Sequence, residues 1–394
     1  MEKVFILDAY ALIFRAYYAF IRNPRITSKG LNTSAIYGFV NTLIDVLMKE
    51  KPDRIAVAFD PAGPTFRNEI YTEYKANREA TPEAIKTAVP YIKKILEKLN
   101  IPIFEIEGYE ADDVAGSLAF DLNRKGYKVY MMTSDKDYCQ LVNHNILIYK
   151  PAKGGNEAQI WGPEEVKKEF QVSEPRHVID VLALWGDSSD NVPGAPGIGE
   201  KTAKELISKY ENLENLYHNI EKLTERQKKS LLENREQVMR ARKLVTIETG
   251  IPLSYDPEMM KLKTPDEAGI TPLFDELEFR SVTKRLLAAM SHQGTLTSVP
   301  PATERRNDIP DLFSAPEEVV KPVHNYQTFS PEKVMYKLVS PAETDDFIAL
   351  LMRQEHFCFD TETTGLNPIS DELVGISFCY REDEAYFILF PQNQ

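Results

Sequence analysis

Seven acidic residues stand where side chains from separate stretches of the chain could meet. Asp8 follows an apolar run at Lys3 to Leu7, Asp60 follows Arg54 to Phe59, and Asp135 and Asp137 follow Lys128 to Thr133. Glu110, Asp112 and Asp113 open a helix-like run, Ala111 to Arg124. Singly, each has an ordinary explanation: an Asp after a strand caps a helix or forms a turn, and acids at a helix start favour its dipole. Seven carboxylates in one place are different, because they raise each other's pKa and destabilise the fold unless cations neutralise them. Hard oxygen ligands with no histidine or cysteine among them favour Mg²⁺ or Mn²⁺ over zinc. Such a cluster suits two ions roughly 3.5 to 4 Å apart, one activating a water and one stabilising the leaving oxygen of a phosphodiester.

Two further segments carry chemistry. Trp185 to Asn191 supplies Asp187 and Asp190, by themselves a solvated turn. Directly after it, Val192 to Ala203 contains Gly194, Gly197 and Gly199 before Lys201. Glycines there let backbone approach a partner closely, and the next helix offers free N–H groups to an anion. That pattern grips a phosphate backbone without reading bases, although a plain turn between helices fits as well. Between Asp60 and Pro82, Arg67, Tyr71, Tyr74, Lys75 and Arg78 recur at helical spacing and would share one face. Cations beside aromatic rings suit a single strand of nucleic acid. Lys75 and Arg78 would reach a phosphate as it develops charge. A solvated helix paired internally through Glu69 and Glu73 is the plainer reading.

The elements that must position these residues alternate strand and helix over the first 150 residues. The expected order is strand Lys3–Leu7, helix Tyr10–Phe20, helix Ser34–Glu50, strand Arg54–Phe59, helix Pro82–Leu99, strand Ile103–Ile106, helix Ala111–Arg124 and strand Lys128–Thr133. That is an α/β fold with a parallel sheet, whose strand carboxyl ends are where ligands bind. From Pro163 the pattern turns helical, with Arg226–Thr246 reading as one helix and Asp266–Met290 as two. Ser291 to Pro331, with six prolines and few apolar clusters, reads as a linker. A second α/β unit then runs to Gln394, roughly 60 residues against the 100 to 150 typical of a domain.

With 27% charged and 43% hydrophobic residues the chain is a folded protein rather than a disordered one. No apolar run approaches the roughly 18 residues needed to span a bilayer, and no membrane partner is expected. Val4 to Phe20 is apolar enough to suggest a signal peptide, but Asp8 and Arg15 interrupt it and no small-residue cleavage site follows. Three scattered cysteines, Cys139, Cys358 and Cys379, suggest no disulfide framework and a reducing cytoplasm. The net charge of −13 is unusual for a nucleic-acid partner, but an enzyme holding cations through many carboxylates can be acidic overall.

Residues 1 to about 290 resemble the 5′ nuclease domain of the bacterial DNA polymerase I family, relatives of the flap endonucleases. The resemblance rests on Phe59-Asp60, Phe66-Arg67, Tyr74-Lys75 with Arg78, Glu110-Ala111-Asp112-Asp113, Thr133 to Asp137, Gly186-Asp187 with Asp190-Asn191, and the glycine hairpin. Asp8-Ala9-Tyr10 departs from the family's usual Asp-Gly start but keeps the acid. The resemblance implies a PIN-like parallel-sheet domain with a helical arch (1–170) and a helix-hairpin-helix-type DNA-binding subdomain (171–290). It implies nine metal-site acids: Asp8, Asp60, Glu110, Asp112, Asp113, Asp135, Asp137, Asp187 and Asp190. Lys75 and Arg78 would act on the scissile phosphate, with Arg15, Arg67, Tyr71, Tyr74, Gly194, Gly197, Gly199 and Lys201 contacting DNA. Two Mg²⁺ or Mn²⁺ ions, and K⁺ at the hairpin, would be the cofactors. After the linker (291–331), residues 332–394 resemble the start of a ribonuclease H-like 3′–5′ exonuclease domain through Phe359 to Leu366, with Asp360 and Glu362 an incomplete site.

The implied activity is cutting of branched or 5′-flap DNA and RNA–DNA primer ends, by a monomer, in replication and repair, with no proofreading or polymerisation from this chain. A related small ribonuclease would leave the hairpin and arch unexplained. A branched-DNA-binding module without catalysis is the alternative from another class, and loss of acids would favour it. None is lost.

Overall fold

The computed structural model describes residues 1–152, 157–291, 335–354, 356–363, 373–381 and 384–390. The chain forms two compact units, Met1–Glu317 and Glu318–Gln394. The expected linker lies, but for Ser291, outside the described residues, as do Thr364, Gly365 and Leu366 of the tail motif.

The first unit is built on strands β1 (Lys3–Asp8), β2 (Arg54–Ala58), β3 (Ile103–Phe104), β4 (Lys128–Met132), β5 (Ile146–Lys150) and β6 (Gln159–Trp161). Their order is β3-β2-β1-β4-β5-β6, all parallel except β6. The strand period of two sorts side chains onto two faces. Val4, Ile6, Ala58, Val129 and Met131 enter one core, while Phe5, Leu7, Val57, Tyr130 and Met132 enter the other. Burial on both faces makes these strands nearly continuous apolar runs, the signature of a parallel sheet. β5 and β6 are additional to the strands read from sequence.

The helices are α1 (Ala9–Ala19), α2 (Ser34–Asp45), α3 (Phe66–Ile70), α4 (Glu83–Lys98), α5 (Ala111–Arg124), α6 (Pro163–Phe170), α7 (Val178–Trp185), α8 (Glu200–Tyr210), α9 (Leu213–His218), α10 (Glu225–Glu233), α11 (Arg235–Val245), α12 (Glu267–Glu276) and α13 (Arg280–Ser291). Helices α1, α2, α4, α12 and α13 cover one face of the sheet. Helices α5 to α9 and α11 cover the other, sharing a core with β4 and β5. A short ladder, β7 (Gly186–Asp187) with β8 (Val192–Pro193), links α7 to the glycine hairpin.

Two expectations are corrected. Arg226–Thr246 is two helices, broken at Asn234, whose backbone N–H and side-chain amide both donate to Ser230 O. Asparagine competes for backbone groups in this way and ends helices. The segment 66–78 is not a helical arch: helix stops at Ile70, and Lys75 takes a left-handed conformation, φ 59°. Its residues therefore do not share one face.

The second unit holds β9 (Met335–Val339), α14 (Thr344–Leu351), β10 (Cys358–Thr363), β11 (Leu373–Arg381) and β12 (Glu384–Leu389). The strand order is β10-β11-β12-β9, antiparallel except for β12 with β9. Asp360 and Glu362 lie on β10, exposed. Cys358 and Cys379, far apart in sequence, are register partners on neighbouring strands and remain free thiols. Among the described residues no helix is long and apolar enough to cross a membrane.

Candidate active site: an acidic cleft at the carboxyl end of the sheet

The strand order places β1 between β2 and β4, where the direction of chain crossover reverses. An open parallel sheet has its crevice at that point, beyond the carboxyl ends of the strands. Asp8 is the last residue of β1 and the N-cap of α1; its Oδ1 accepts from Ala11 N at 3.0 Å and its Oδ2 from Thr133 Oγ1 at 3.0 Å. Capping and site membership are thus one role here. Asp60, just past β2, accepts from Ala111 N at 2.8 Å and so ties β2 to the start of α5. Glu110 is the N-cap of α5. Asp135 accepts from Asp137 N at 2.9 Å in the turn after β4.

These segments enclose a cleft of about 310 Å³ lined by Asp8, Asp60, Glu110, Asp112, Asp135, Asp137 and Asp190, seven of the nine expected acids. Asp113 is not among them. It is fully buried and clasped by Arg67, which donates at 2.6 and 2.7 Å to its two oxygens, and it also accepts from Glu110 N and Glu248 N. With its oxygens thus engaged, Asp113 anchors α5, and the expected ligand role is corrected to a structural one. Asp187 lies beside the cleft in an ion pair with Lys136 at 2.5 Å.

Charge is unevenly compensated within the cleft. Lys75 Nζ is 2.6 Å from Glu110 and 3.7 Å from Asp190, and Arg78 is 2.5 Å from Asp190. Burial lowers the Lys75 pKa, but the Glu110 and Asp190 charges outweigh it and raise the net value. On the other side, burial pushes Asp8 up to about 7, with the Asp60 charge adding to it. Burial likewise raises Asp60 and Asp135. Burial and then the charges of neighbouring acids raise Asp137, and burial raises Asp112 despite Arg67. Asp187 is the contrast: burial works upward, yet Lys136 and Ser189 hold it below the usual carboxylate range.

The raised carboxylates mark where positive charge is wanted. Asp137 Oδ1 is buried without a hydrogen-bond partner. The acids lining the cleft are all hard oxygen donors, which suit Mg²⁺ or Mn²⁺. Among the described residues no three acids stand at ligand spacing around one point, but the charge and the orphaned oxygen fit a divalent ion. Asp8, Asp60, Asp112, Asp135 and Asp137 are the residues that would hold it.

Of the expected DNA contacts, Arg67 and Tyr74 are corrected. Arg67 is 1% exposed and also donates to Leu244 O and Thr246 O. Tyr74 is buried, its hydroxyl 3.1 Å from both Glu110 and Asp190. Both side chains are drawn inward because the acids and carbonyls around them need donors. Tyr71 is half-buried beneath the Arg240 guanidinium. Arg15 lines the cleft and donates to the Pro151 and Ala152 carbonyls. The hairpin is held by Gln237 on Gly194 O and Ser230 on Pro196 O, both at 2.6 Å. Gly199 caps α8, and Lys201 beside it is exposed.

Sequence reasoning missed Lys136, Thr133, Tyr10 and Phe14. Thr133 fixes Asp8, and Tyr10 and Phe14 line the cleft from α1. Lys136 could have been found from its place between Asp135 and Asp137; the aromatics gave no signal beyond helical spacing.

Comparison with known proteins agrees with this geometry. Residues 3–171 match the family described as 5′-3′ exonuclease, N-terminal resolvase-like domain. Residues 173–268 match 5′-3′ exonuclease, C-terminal SAM fold. The 5′-3′ exonuclease of Aquifex aeolicus is 38% identical over 73% of this chain and 96% of its own length. DNA polymerase I of Chloroflexus aurantiacus is 34% identical over 97% of this chain but 41% of its own, so this chain spans about two fifths of that relative. The fold is also that of zinc-bound T5 5′-exonuclease (TM-score 0.51, 21% identity, 74% of this chain and 100% of that one). It is likewise that of the Rad2 catalytic core in complex with DNA substrate (TM-score 0.50, 19% identity, 73% and 92%). With these matches across the residues that build the acidic cleft, the chain belongs to the 5′–3′ exonuclease family of nucleases.

Proposed function

We propose that this chain hydrolyses phosphodiesters near the junction of a 5′ single strand with duplex DNA, removing flaps and RNA primers as the front part of a DNA polymerase I. The observation that carries this is the meeting of seven carboxylates from five chain segments in one cleft with Lys75 and Arg78. Two divalent ions, Mg²⁺ or Mn²⁺, would supply water activation and charge neutralisation there. Lys75 and Arg78, now paired with Glu110 and Asp190, are placed to donate to a phosphate that enters between them and the acids. Thr133 and the Ala11 and Ala111 amides hold Asp8 and Asp60 in place. The glycine hairpin and Lys201 would grip the duplex backbone, with K⁺ as a bridging ion at the hairpin.

The relatives' names support the reading, since proteins called 5′-3′ exonuclease and DNA polymerase I align through the cleft. For residues 332–394 we read a 3′–5′ exonuclease domain of ribonuclease H-like type. Asp360 and Glu362 on one strand support it, as does similarity to the Chloroflexus aurantiacus enzyme over 97% of the chain. The test offers 5′-flap, nicked and single-stranded DNAs in Mg²⁺ and identifies the product ends. Cutting near the junction of the flap, leaving 5′-phosphate and 3′-hydroxyl ends, is expected. Equal cutting of all three, or tight flap binding without cutting, would overturn it.

A further inference from the structure

A second cavity of about 350 Å³ lies next to the acidic cleft; it borrows Gly194 from the hairpin, but the reading above gives its interior no ligand. Its walls include Tyr71, Lys136, Trp185, Asp187, Asn191 and Gly194. Lys136 joins the two sites: its Nζ is 2.5 Å from Asp187, on this cavity, and 3.9 Å from Asp137, on the cleft. The short segment 71–75 also serves both, with Tyr71 lining one and Tyr74 and Lys75 the other.

Three features describe what would fit. Trp185 and Tyr71 are half-buried aromatics whose indole N–H and phenolic hydroxyl make no hydrogen bond among the described residues. Cations hold both rings, Lys136 at 5.4 Å from Trp185 and Arg240 at 4.7 Å from Tyr71. Lys136 and Asp187 cancel each other's charge, which favours a neutral ligand over a phosphate. The walls are also preformed. The β7–β8 ladder fixes Gly186 and Asp187 against Pro193 and Val192, and Asn191 is tied to Glu73 O at 2.6 Å. A volume of this size is at the small-ligand end of binding cavities, roughly 300 to 1,000 Å³.

We propose that this cavity receives one unpaired nucleobase of the nucleic-acid substrate, stacked against Trp185 and Tyr71, while the acidic cleft holds the neighbouring phosphate. A base is planar, neutral and polar at its edge, and base–aromatic stacking does not depend on sequence. The proposal rests on the reading that nucleic acid is the substrate.

The sequence has two tryptophans, so Trp161→Phe leaves Trp185 as the sole reporter without altering the cavity. That protein is titrated in EDTA with 5′-flap DNAs carrying one abasic residue at successive positions of either strand around the junction. Quenching of Trp185 by the parent DNA is expected, with loss of quenching and roughly tenfold weaker binding at one abasic position. Trp185→Leu should weaken parent DNA by a similar factor and become insensitive to that position. No quenching, or quenching and affinity that survive every abasic substitution, would overturn the proposal. Wild-type cutting in Mg²⁺ is measured in parallel. Cutting without base-dependent quenching rejects the base site alone, whereas base-dependent quenching without cutting rejects the nuclease reading alone.

Discussion

Arg67 and Asp113 face each other with 1% and 0% of their surface exposed. Removing either partner of such a pair leaves the other's charge buried without compensation. Arg67→Met should therefore cost about 3–5 kcal/mol in urea unfolding, and adding Asp113→Leu should recover most of that loss. A single substitution with no measurable cost would contradict the structural role given to the pair. The acids of the cleft behave in the opposite sense. Asp8 is raised from 3.8 to about 7, by burial first and the Asp60 charge second. A carboxyl whose pKa is higher in the folded state stabilises the fold below its unfolded pKa, and loses that contribution as pH rises through the folded value. Asp112 and Asp137 are raised too and add in the same direction. Asp187, held low, stabilises above its ordinary value and loses that contribution on acidification. Carboxyls held low lose their contribution only below the ordinary carboxylate range, so between about pH 5 and about pH 7.5 the raised acids of the cleft decide the sign: the Tm in EDTA should fall there, and Mg²⁺ should raise it more at the upper end. A Tm that climbs over that range in EDTA would count against the cleft's electrostatics.

At the scale of elements, the hairpin glycines separate fold from function. A Cβ on Gly194 would lie 2.4 Å from Leu184 O, whereas one on Gly199 would meet nothing within 4 Å. Gly194→Ala should therefore destabilise the α7–hairpin junction by about 1–3 kcal/mol. Gly199→Ala, with no clash but a poorer N-cap for α8, should lower the Tm only slightly and weaken duplex binding by crowding a phosphate. Equal melting of the two variants would show that close packing at Gly194 has been misjudged. The sheet was legible because its strands are buried on both faces and end in acids, and Ala111–Arg124 because its cap and apolar spacing agree. What was not legible depended on partners far along the chain. The side chain of Arg67 is fixed by Leu244 and Thr246, and the 71–78 segment by bonds such as Asn77 to Ser188 O and Lys75 N to Asp190 O. Local spacing suggested a helical face there; tertiary bonds replaced it with turns. The short β6 pairs only with β5 and carries little pattern of its own.

For the whole molecule, the two units differ in how completely they bury apolar surface. The first has a core on each side of its sheet, whereas the second leaves Tyr336 66%, Leu338 62% and Phe359 63% exposed. Exposed apolar groups of this kind bind hydrophobic dyes. A chain ended after residue 291 should lose most dye binding yet cut flap DNA at an unchanged rate, since the Aquifex aeolicus relative is matched over 96% of its length by 73% of this chain. A large loss of cutting would mean that the second unit contributes to the cleft. The central claim is that the acids at the carboxyl end of the sheet cut a phosphodiester with divalent ions. Its most direct measurement is the single-turnover cutting of a 5′-labelled flap duplex with and without Mg²⁺, alongside Asp135→Ala. Cutting near the junction that needs Mg²⁺ and is lost with Asp135→Ala, while the protein stays folded, is the expected result. Tight flap binding by the wild-type protein with no cutting in Mg²⁺ or Mn²⁺ would contradict it and leave a module that binds branched DNA.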